Sequence, residues 1–369
     1  MFEVGGLEFG VQPVLRSPEI AGGEPVESVE RGEAGRSAFS LSFVALAKKD
    51  DRHRVLDVGR WMLGVGLMVC LVSCHRHQEE TRWTMINVTP GQVQADCHLI
   101  EFPDGSKVLI DIADAMDAPG TALAFLQNHK ITHINLVIIS HFHKDHYGRL
   151  RDLVNSGIKV DRVACNLPAT RGEMDREHLS TPLADWDDAI SVLQFLREKQ
   201  IPYFTPKAGD RLIEVPLAHG LVAALDVVCL YDGVHTPIGE TSINDTSIIV
   251  RLSHGPIRAL FTGDLMSPLA TWLADSNFDL AADVLKVQHH GAYWSGPDKF
   301  FARVNPKAAL VPAPKGLWAS LLDKRVRDYL SEHHIPTYVS GINGNVTVIM
   351  TTQGFTIQEE HPVPMTNEQ

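Results

Sequence analysis

The sequence predicts an α/β fold of two mixed β-sheets packed face to face, with helices on the outside. Three observations lead there. Short apolar runs rich in Val, Ile and Leu, each too short for a helix, recur between Met85 and Ile349. Helix-periodic stretches lie between them, at 120–129, 147–157, 183–199 and 320–334. The order strands, helices, strands, helices occurs in two similar halves, so each half supplies a sheet and its cover. The composition agrees. With 44% hydrophobic and 21% charged residues over 369 positions, the chain is ordinarily globular and long enough for one large domain or two small ones.

Residues 1–57 carry no regular pattern. Gly5-Gly6, Gly22-Gly23, Pro13, Pro18 and Pro25 break any long element, and 24–36 alternates Glu, Gly and Arg without an apolar face. This segment reads as disordered. Arg60 then leads into the apolar run Trp61–Val72. That run is too short to span a bilayer, and it suits the h-region of a signal peptide over 58–73, with Arg54 and Arg60 ahead of it. A short buried core helix is the alternative. Leu71-Val72-Ser73-Cys74 resembles the lipobox of bacterial lipoproteins. The resemblance implies that Cys74 is lipidated and becomes the mature N-terminus. It also implies a membrane-anchored protein of the cell envelope, facing away from the cytoplasm; an unused signal would leave it cytoplasmic. Signal peptides open their chains, so translation is expected to begin near Val55 or Val58, with 1–57 lying upstream of the true start.

Residues 74–84 read as a polar tether, 85–357 as the globular domain, and 358–369 as a fraying polar tail. In the domain, 85–88, 97–102 and 108–112 read as strands, with Asp104-Gly105 at a turn. A helix over 120–129 follows, then the buried strand Leu136–Ile139, closed by Ser140. Next come a helix from Tyr147 closing at Gly157, a strand-like run at 160–165, and a loop at 167–182 at the mouth of the site. The helix at 183–199 sets Trp186, Ile190, Leu193 and Leu196 on one face. Two short strands lie in 215–231. A hairpin turning at 253–256 joins strand 243–252 to 257–261. Strand 284–287, a short helix from Pro297, strand 308–312, helix 320–334 and a closing strand pair at 338–341 and 345–349 complete the domain. His333 and His334 sit at a helix C-terminus, where a cation is favoured, and read as structural.

The chemistry gathers at His141-Phe142-His143-Lys144-Asp145-His146, directly after the buried strand. Three imidazoles and a carboxylate in six residues suit a borderline metal such as zinc. In extended chain His141 and His143 point the same way and reach one ion; once the loop turns, Asp145 and His146 face a second. Five cysteines form no CxxC pair, so neither a disulfide framework nor a thiol nucleophile is indicated. The 33 basic and 45 acidic residues give a net charge of −12 without any Lys/Arg block, which disfavours long polyanions unless metal ions or a local patch offset the field.

The H-x-H-x-D-H stretch resembles the signature of the metallo-β-lactamase superfamily. Its neighbours narrow the resemblance to the hydrolase domain of the ComEC competence family, over roughly Met85 to Ile349 by the order of motifs. The opening meander matches in outline, with Thr89–Asp96 as a lengthened Gly-Gln-Gly-Asp stretch. Asn244-Asp245-Thr246-Ser247, a hairpin, then Thr262-Gly263-Asp264 follow in the family's order. Gln288-His289-His290-Gly291 stands where the family reads His-His-Gly-Ser, with Ala292 replacing the serine.

The resemblance implies a four-layer αββα sandwich with its site at one edge between the sheets. It implies His141 and His143 on one ion, Asp145 and His146 on the other, Asp264 between them, and Asp111 bracing the metal loop from behind. One of His289 and His290 completes the second ion's shell or donates a proton. The first ion lacks an obvious third ligand: Asn244-Asp245 occupies the matching place, and Asp245, His235 or His219 are the candidates. Asp145, His289 and His290 are the candidate catalytic residues. Two zinc ions per chain are expected, with manganese as the alternative for an oxygen-rich shell.

The expected activity is metal-dependent hydrolysis of a phosphodiester, either a small molecule or an oligonucleotide. The alternatives are a lactone, thioester or carboxylic ester hydrolase on the same centre, or a surface binding module that keeps metal for structure. No run reaches about 18 apolar residues, so no channel is encoded here, and DNA uptake does not carry over with the fold. No protein partner is indicated.

Overall fold

The computed structural model describes residues 79–88, 94–114, 121–166, 183–231, 243–292 and 294–361, with backbone only over 183–186. The signal-like run, the lipobox, most of the Thr89–Asp96 stretch, the 167–182 loop, His235 and the Trp186 side chain lie outside the described residues.

The first half supplies β1 (Thr81–Met85), β2 (His98–Glu101), β3 (Lys107–Ile110), β4 (His133–Ile134), β5 (Leu136–Ile139), β6 (Lys159–Val160), β7 (Val163–Cys165) and β8 (Tyr203–Phe204). The second supplies β9 (Arg211–Pro216), β10 (Val222–Cys229), β11 (Ile249–His254), β12 (Ile257–Phe261), β13 (Val284–Lys286), β14 (Ala308–Val311) and β15 (Thr337–Val339). Then come β16 (Val346–Thr351) and β17 (Gly354–Glu359). One sheet runs β17-β16-β1-β2-β3-β5-β7-β8 and the other β15-β14-β13-β12-β11-β10-β9, while β4 and β6 pair separately. Each large sheet is part parallel and part antiparallel. This is the expected α/β sandwich of mixed sheets.

Side-chain alternation builds the layers. In β5, Leu136 and Ile138 enter the core between the sheets, and Val137 and Ile139 enter the core beneath the helices. In β14, Ala308 and Leu310 point inward while Ala309 and Val311 meet the outer helices. Both faces are covered, so these strands read as continuous apolar runs. Each fully buried Val, Leu or Ile contributes about 1.5–3 kcal/mol relative to exposure. Ala189, Val192, Leu193 and Leu196 of helix Leu183–Glu198 cover one sheet. Leu269 and Leu273 of helix Ser267–Asp275, with Phe300 and Phe301 of helix Asp298–Val304, cover the other.

Several element boundaries differ from the sequence reading. The first strand is Thr81–Met85, inside the expected tether, because Trp83 and Met85 are fully buried in the core between the sheets. The 147–157 helix is two short ones, Lys144–Tyr147 and Leu150–Asn155, the latter followed by Gly157 at φ +88°. The 320–334 helix is shorter than expected, Lys324–Glu332, and a separate short helix, Lys315–Trp318, precedes it. Residues 243–246 form a 3-10 turn ahead of β11. The expected closing pair is not a pair. β15 joins β14 in the second sheet, the helix Ser340–Asn343 crosses over, and β16 lies between β1 and β17 in the first. A polar strand such as β17 shows little hydrophobic pattern, and pairing to β16 is what orders it. Beyond it, the backbone N–H groups of Glu360 and His361 donate to Asn345 and Asn343 carbonyls at 2.9 Å each.

Candidate metal centre

The parallel strands β3, β5, β12 and β13 all end at one edge of the sandwich, where ligands reach the carboxyl ends of strands. Asp111 follows β3, His141 follows β5, Asp264 follows β12 and His289-His290 follows β13. Residues far apart in sequence therefore meet there.

The loop after β5 is fixed from below by Asp111. Its carboxylate accepts bonds from Ser140 N and Ser140 Oγ at 2.7 Å each, and from His146 Nδ1 at 2.8 Å. Asp111 therefore lies behind the loop, in contact with Ser140 and His146. It also orients the ring of His146: Nδ1 donates to Asp111, and Nε2 is turned toward the site. The His146 carbonyl accepts from Ile112 N at 2.8 Å, and the Asp145 carbonyl from Asp96 N at 3.1 Å, which ties the loop to two neighbouring strands.

Asp264 is held by the Asn244–Ser247 turn. Ser247 Oγ donates to the Asn244 carbonyl at 2.6 Å and accepts from Asp264 N at 3.0 Å. Gly263 is left-handed at φ +49°, and a Cβ on it would lie 2.5 Å from Ser247 Oγ, so only glycine fits. Asp245 Oδ1 accepts from Met266 N at 2.8 Å and braces the turn after Asp264. Asn244 is buried in the same turn, contributing its carbonyl. Neither falls among the described ligand clusters, so the structure does not assign Asp245 as the missing third ligand. His219 sits exposed in the β9–β10 turn at φ +60°.

Asp145, His146, Asp264 and His290 bring one ligand atom each to within 4.8 Å of one another. His290 Nε2 lies 3.3 Å from both Asp145 Oδ2 and Asp264 Oδ2, and His146 Nε2 lies 3.2 Å from Asp264 Oδ2. His141 and His143 form a second group. His141 Nε2 is 3.0 Å from His143 Nδ1 and 4.0 Å from Asp264 Oδ2. Asp264 thus lies next to both groups. The sequence left open which of His289 and His290 joins the cluster, and the close distances belong to His290. His289 is farther off, with Nε2 3.9 Å from Asp264 Oδ2.

These two histidines adopt left-handed backbone, φ +48° and +54°, followed by Gly291 at +88°. Such a conformation costs about 1–2 kcal/mol per non-glycine residue, and the run turns adjacent rings apart, to centroids 6.2 Å distant. Gly291 is required besides, because a Cβ there would meet the Trp318 ring at 2.9 Å.

The electrostatics call for cations. Burial opposes charge on His146, yet Asp264, Asp145 and Asp111 outweigh it and raise its pKa well above the ordinary value. Burial also opposes charge on His290, but Asp264, Asp96 and Asp145 push it to about 10. Burial raises Asp145, and His146 and His290 override that to hold it at about 2. His141 goes the other way, lowered by burial and by the neighbouring His146 and His143. The carboxylates thus attract protons where ligand atoms converge, and a divalent ion satisfies the same field. His290 Nε2 and Asp264 Oδ1 are buried without a hydrogen-bond partner, as ligand atoms awaiting an ion are. The donor set of nitrogens and carboxylate oxygens fits zinc or manganese.

Two members were missed in the sequence. Lys286 ends β13 on its inward face, two residues after Val284, and is fully buried. Its Nζ lies 2.5 Å from Asp96 Oδ2, donates to the Gly263 carbonyl at 2.8 Å and stands 3.5 Å from Asp264 Oδ1. Burial disfavours its charge, but Asp96 and Asp264 prevail and raise its pKa. His98 lies beside Asp96, with Nε2 3.5 Å from Oδ1, and its other nitrogen accepts from Trp83 Nε1 at 3.3 Å. The available signal was a lysine inside an apolar strand run, which asks for a buried anion.

Fold and donor set together define a metallohydrolase built as an α/β sandwich. Residues 90–315 match the metallo-β-lactamase superfamily, and the chain belongs to that family. It is a hydrolase of the metallo-β-lactamase fold. Over 226 residues it is 25% identical to ComE operon protein 3 of Bacillus subtilis (strain 168), covering 61% of this chain and 26% of the relative; the chain thus matches about a quarter of that protein's length. Among solved structures it is similar to the metallo-β-lactamase fold protein YhfI from Bacillus subtilis, with TM-score 0.45 and 13% identity, covering 76% of this chain and 100% of the other. It is also similar to Igni18, a metallo hydrolase from Ignicoccus hospitalis KIN4/I, with TM-score 0.42 and 12% identity, covering 73% and 98%.

Proposed function

We propose that this hydrolase cleaves a phosphodiester, as a small molecule or an oligonucleotide, with zinc as the resident metal and manganese as a functional substitute. The observation that carries the reading is the convergence of Asp145, His146, Asp264 and His290, with His141 and His143 beside Asp264. Two divalent ions, when bound, act as Lewis acids that lower the pKa of a water to about 7 and offset charge growing on a phosphoryl oxygen. Asp145, His146, Asp264 and His290 would hold one ion, and His141, His143 and Asp264 the other. Asp111 keeps His146 turned toward the centre, and Ser247 keeps Asp264 in place. At the rim, Trp294 is 42% exposed and offers a flat apolar face to a planar base. Burial pushes the Cys165 thiol up to about 12, which removes it as a nucleophile.

A panel of bis-p-nitrophenyl phosphate, single-stranded DNA, a lactone and a thioester, with zinc or manganese added, tests this. Turnover of the diesters is expected. Turnover of the carbonyl esters alone would overturn the phosphodiester reading, and full metal content without any turnover would support the binding module.

The envelope location rests on Arg60, Trp61–Val72 and the lipobox-like Leu71–Cys74. Lipidated Cys74 would be the anchor; among the described residues no helix is long and apolar enough to cross a membrane. Mass spectrometry of the native protein is expected to find a lipid-modified N-terminal Cys74. Peptides from 1–48 in the mature product would refute it.

A further inference from the structure

Among the described residues Lys286 is the only buried lysine, and it lies where the turn carrying Asp264 meets the turn carrying His290. Both ends of the residue are tied to the first of those turns. The Lys286 carbonyl accepts from Thr262 Oγ1 at 2.8 Å, and Nζ donates to the Gly263 carbonyl at 2.8 Å. The same Gly263 carbonyl accepts from His289 N at 3.2 Å. One carbonyl is thus gripped by the lysine ahead of the His289-His290 pair and by the pair itself. An alkyl side chain at 286 could keep the parallel pairing of β12 with β13 and would lose the side-chain bond to the turn.

The ammonium also stands among carboxylates. It lies 2.5 Å from Asp96 Oδ2 and 3.5 Å from Asp264 Oδ1. Asp96, Asp111 and His146 bring ligand atoms to within 4.8 Å of one another, a second set with the chemistry to hold a cation. Lys286 already supplies a positive charge to Asp96, as a compact group that donates to several acceptors from one point.

We propose that Lys286 is a positioning residue of the metal centre: its ammonium clamps the Asp264 turn to the His290 turn and serves as the resident cation beside Asp96. This rests on the metallohydrolase reading. Donors that are already in place lose less freedom when an ion arrives. Lys286 sets the spacing of two of the four donors, Asp264 and His290, without being a ligand itself.

The test compares wild type with Asp96→Asn/Lys286→Met, which removes one cation and one anion and leaves the net charge unchanged. Zinc affinity, measured by competition with a chelator, is expected to fall about 10–100-fold in the double variant. The visible absorption band of the cobalt-loaded protein is expected to change shape, because Asp264 and His290 no longer hold their spacing. Asp96→Asn alone keeps the ammonium on Gly263 and is expected to keep the wild-type band. Wild-type affinity and band in the double variant, or the same altered band in Asp96→Asn, would overturn the role of Lys286. Wild type that binds neither zinc nor cobalt would instead sink the metal reading, and this proposal with it. A crystal structure of the zinc-loaded wild type decides the matter even where a variant does not fold. Nζ is expected on the Gly263 carbonyl and Asp96; Nζ swung away from Gly263, or an ion in its place, would overturn the proposal.

Discussion

The two donor groups that share Asp264 are built to different standards. In the inner group, His146 is braced by Asp111 at 2.8 Å and His290 by the Pro312 carbonyl at 2.8 Å, and both rings are fully buried. In the outer group, His141 Nδ1 has only serine hydroxyls, Ser140 at 3.2 Å and Ser247 at 3.5 Å, and His143 is half-buried. The inner group also leans on the buried Asp96–Lys286 pair. A preformed set of ligands loses less freedom when an ion arrives, so the inner position should bind first and more tightly. Because His143 is half-buried, the outer group reaches nearer to solvent at that residue.

The comparison breaks most directly at the shared carboxylate. Asp264→Ala should empty both positions and lower turnover by about 10³-fold or more, since each ion supplies several kcal/mol of transition-state stabilisation. Elemental analysis that still found two ions per chain would show that Asp264 does not bridge. The next effect separates the groups. His290→Ala should cost the inner ion, while His143→Ala should keep one ion and still abolish turnover. An unchanged rate in His143→Ala would defeat a catalytic role for the outer group.

Lys286→Met should destabilise the metal-free protein by about 3–5 kcal/mol in urea unfolding, because buried Asp96 loses its closest counter-charge. The double change with Asp96→Asn should recover part of the loss. Smaller again is Asp111→Asn, which should weaken inner-site zinc affinity about 10–100-fold with outer-site affinity little altered. Equal weakening at both sites would erase the distinction drawn here.

The smallest effect is the acid response of the metal-free protein. Burial raises the Asp96 pKa, but Lys286, His290 and His98 override it and hold the carboxyl far below its ordinary value. Its stabilising contribution is therefore complete above about pH 4 and is lost as the pH falls toward the depressed folded value. Acid unfolding should shift to higher pH in Lys286→Met; an unmoved midpoint would mean that the pair does not control it.

The legible parts of the site were those packed into a few consecutive residues. H-x-H-x-D-H after a buried strand announces metal chemistry because neighbours in sequence must also be neighbours in the loop. The Gly-Asp and His-His pairs became readable only through their order along the chain, since each alone is a common turn. The pairing of Asp96 with Lys286 stayed hidden because it spans 190 positions: a lysine in an apolar run asks for a buried anion, and nothing local says which one. The closing strands were misread for a related reason. β15 and β16 have similar apolar patterns, and nothing local says that they belong to opposite sheets.

By itself the sequence determined the alternation of strands and helices, the layered α/β class and the loop that gathers the first three histidines. Periodicity and motif spacing are properties of short windows of chain. Only the tertiary structure decided that Asp111 braces His146, that Lys286 is buried against Asp96, and that His290 comes nearer to Asp264 than His289 does. Those outcomes depend on which strand ends come together and on which hydrogen-bond partner waits behind each ring, and a one-dimensional pattern carries neither.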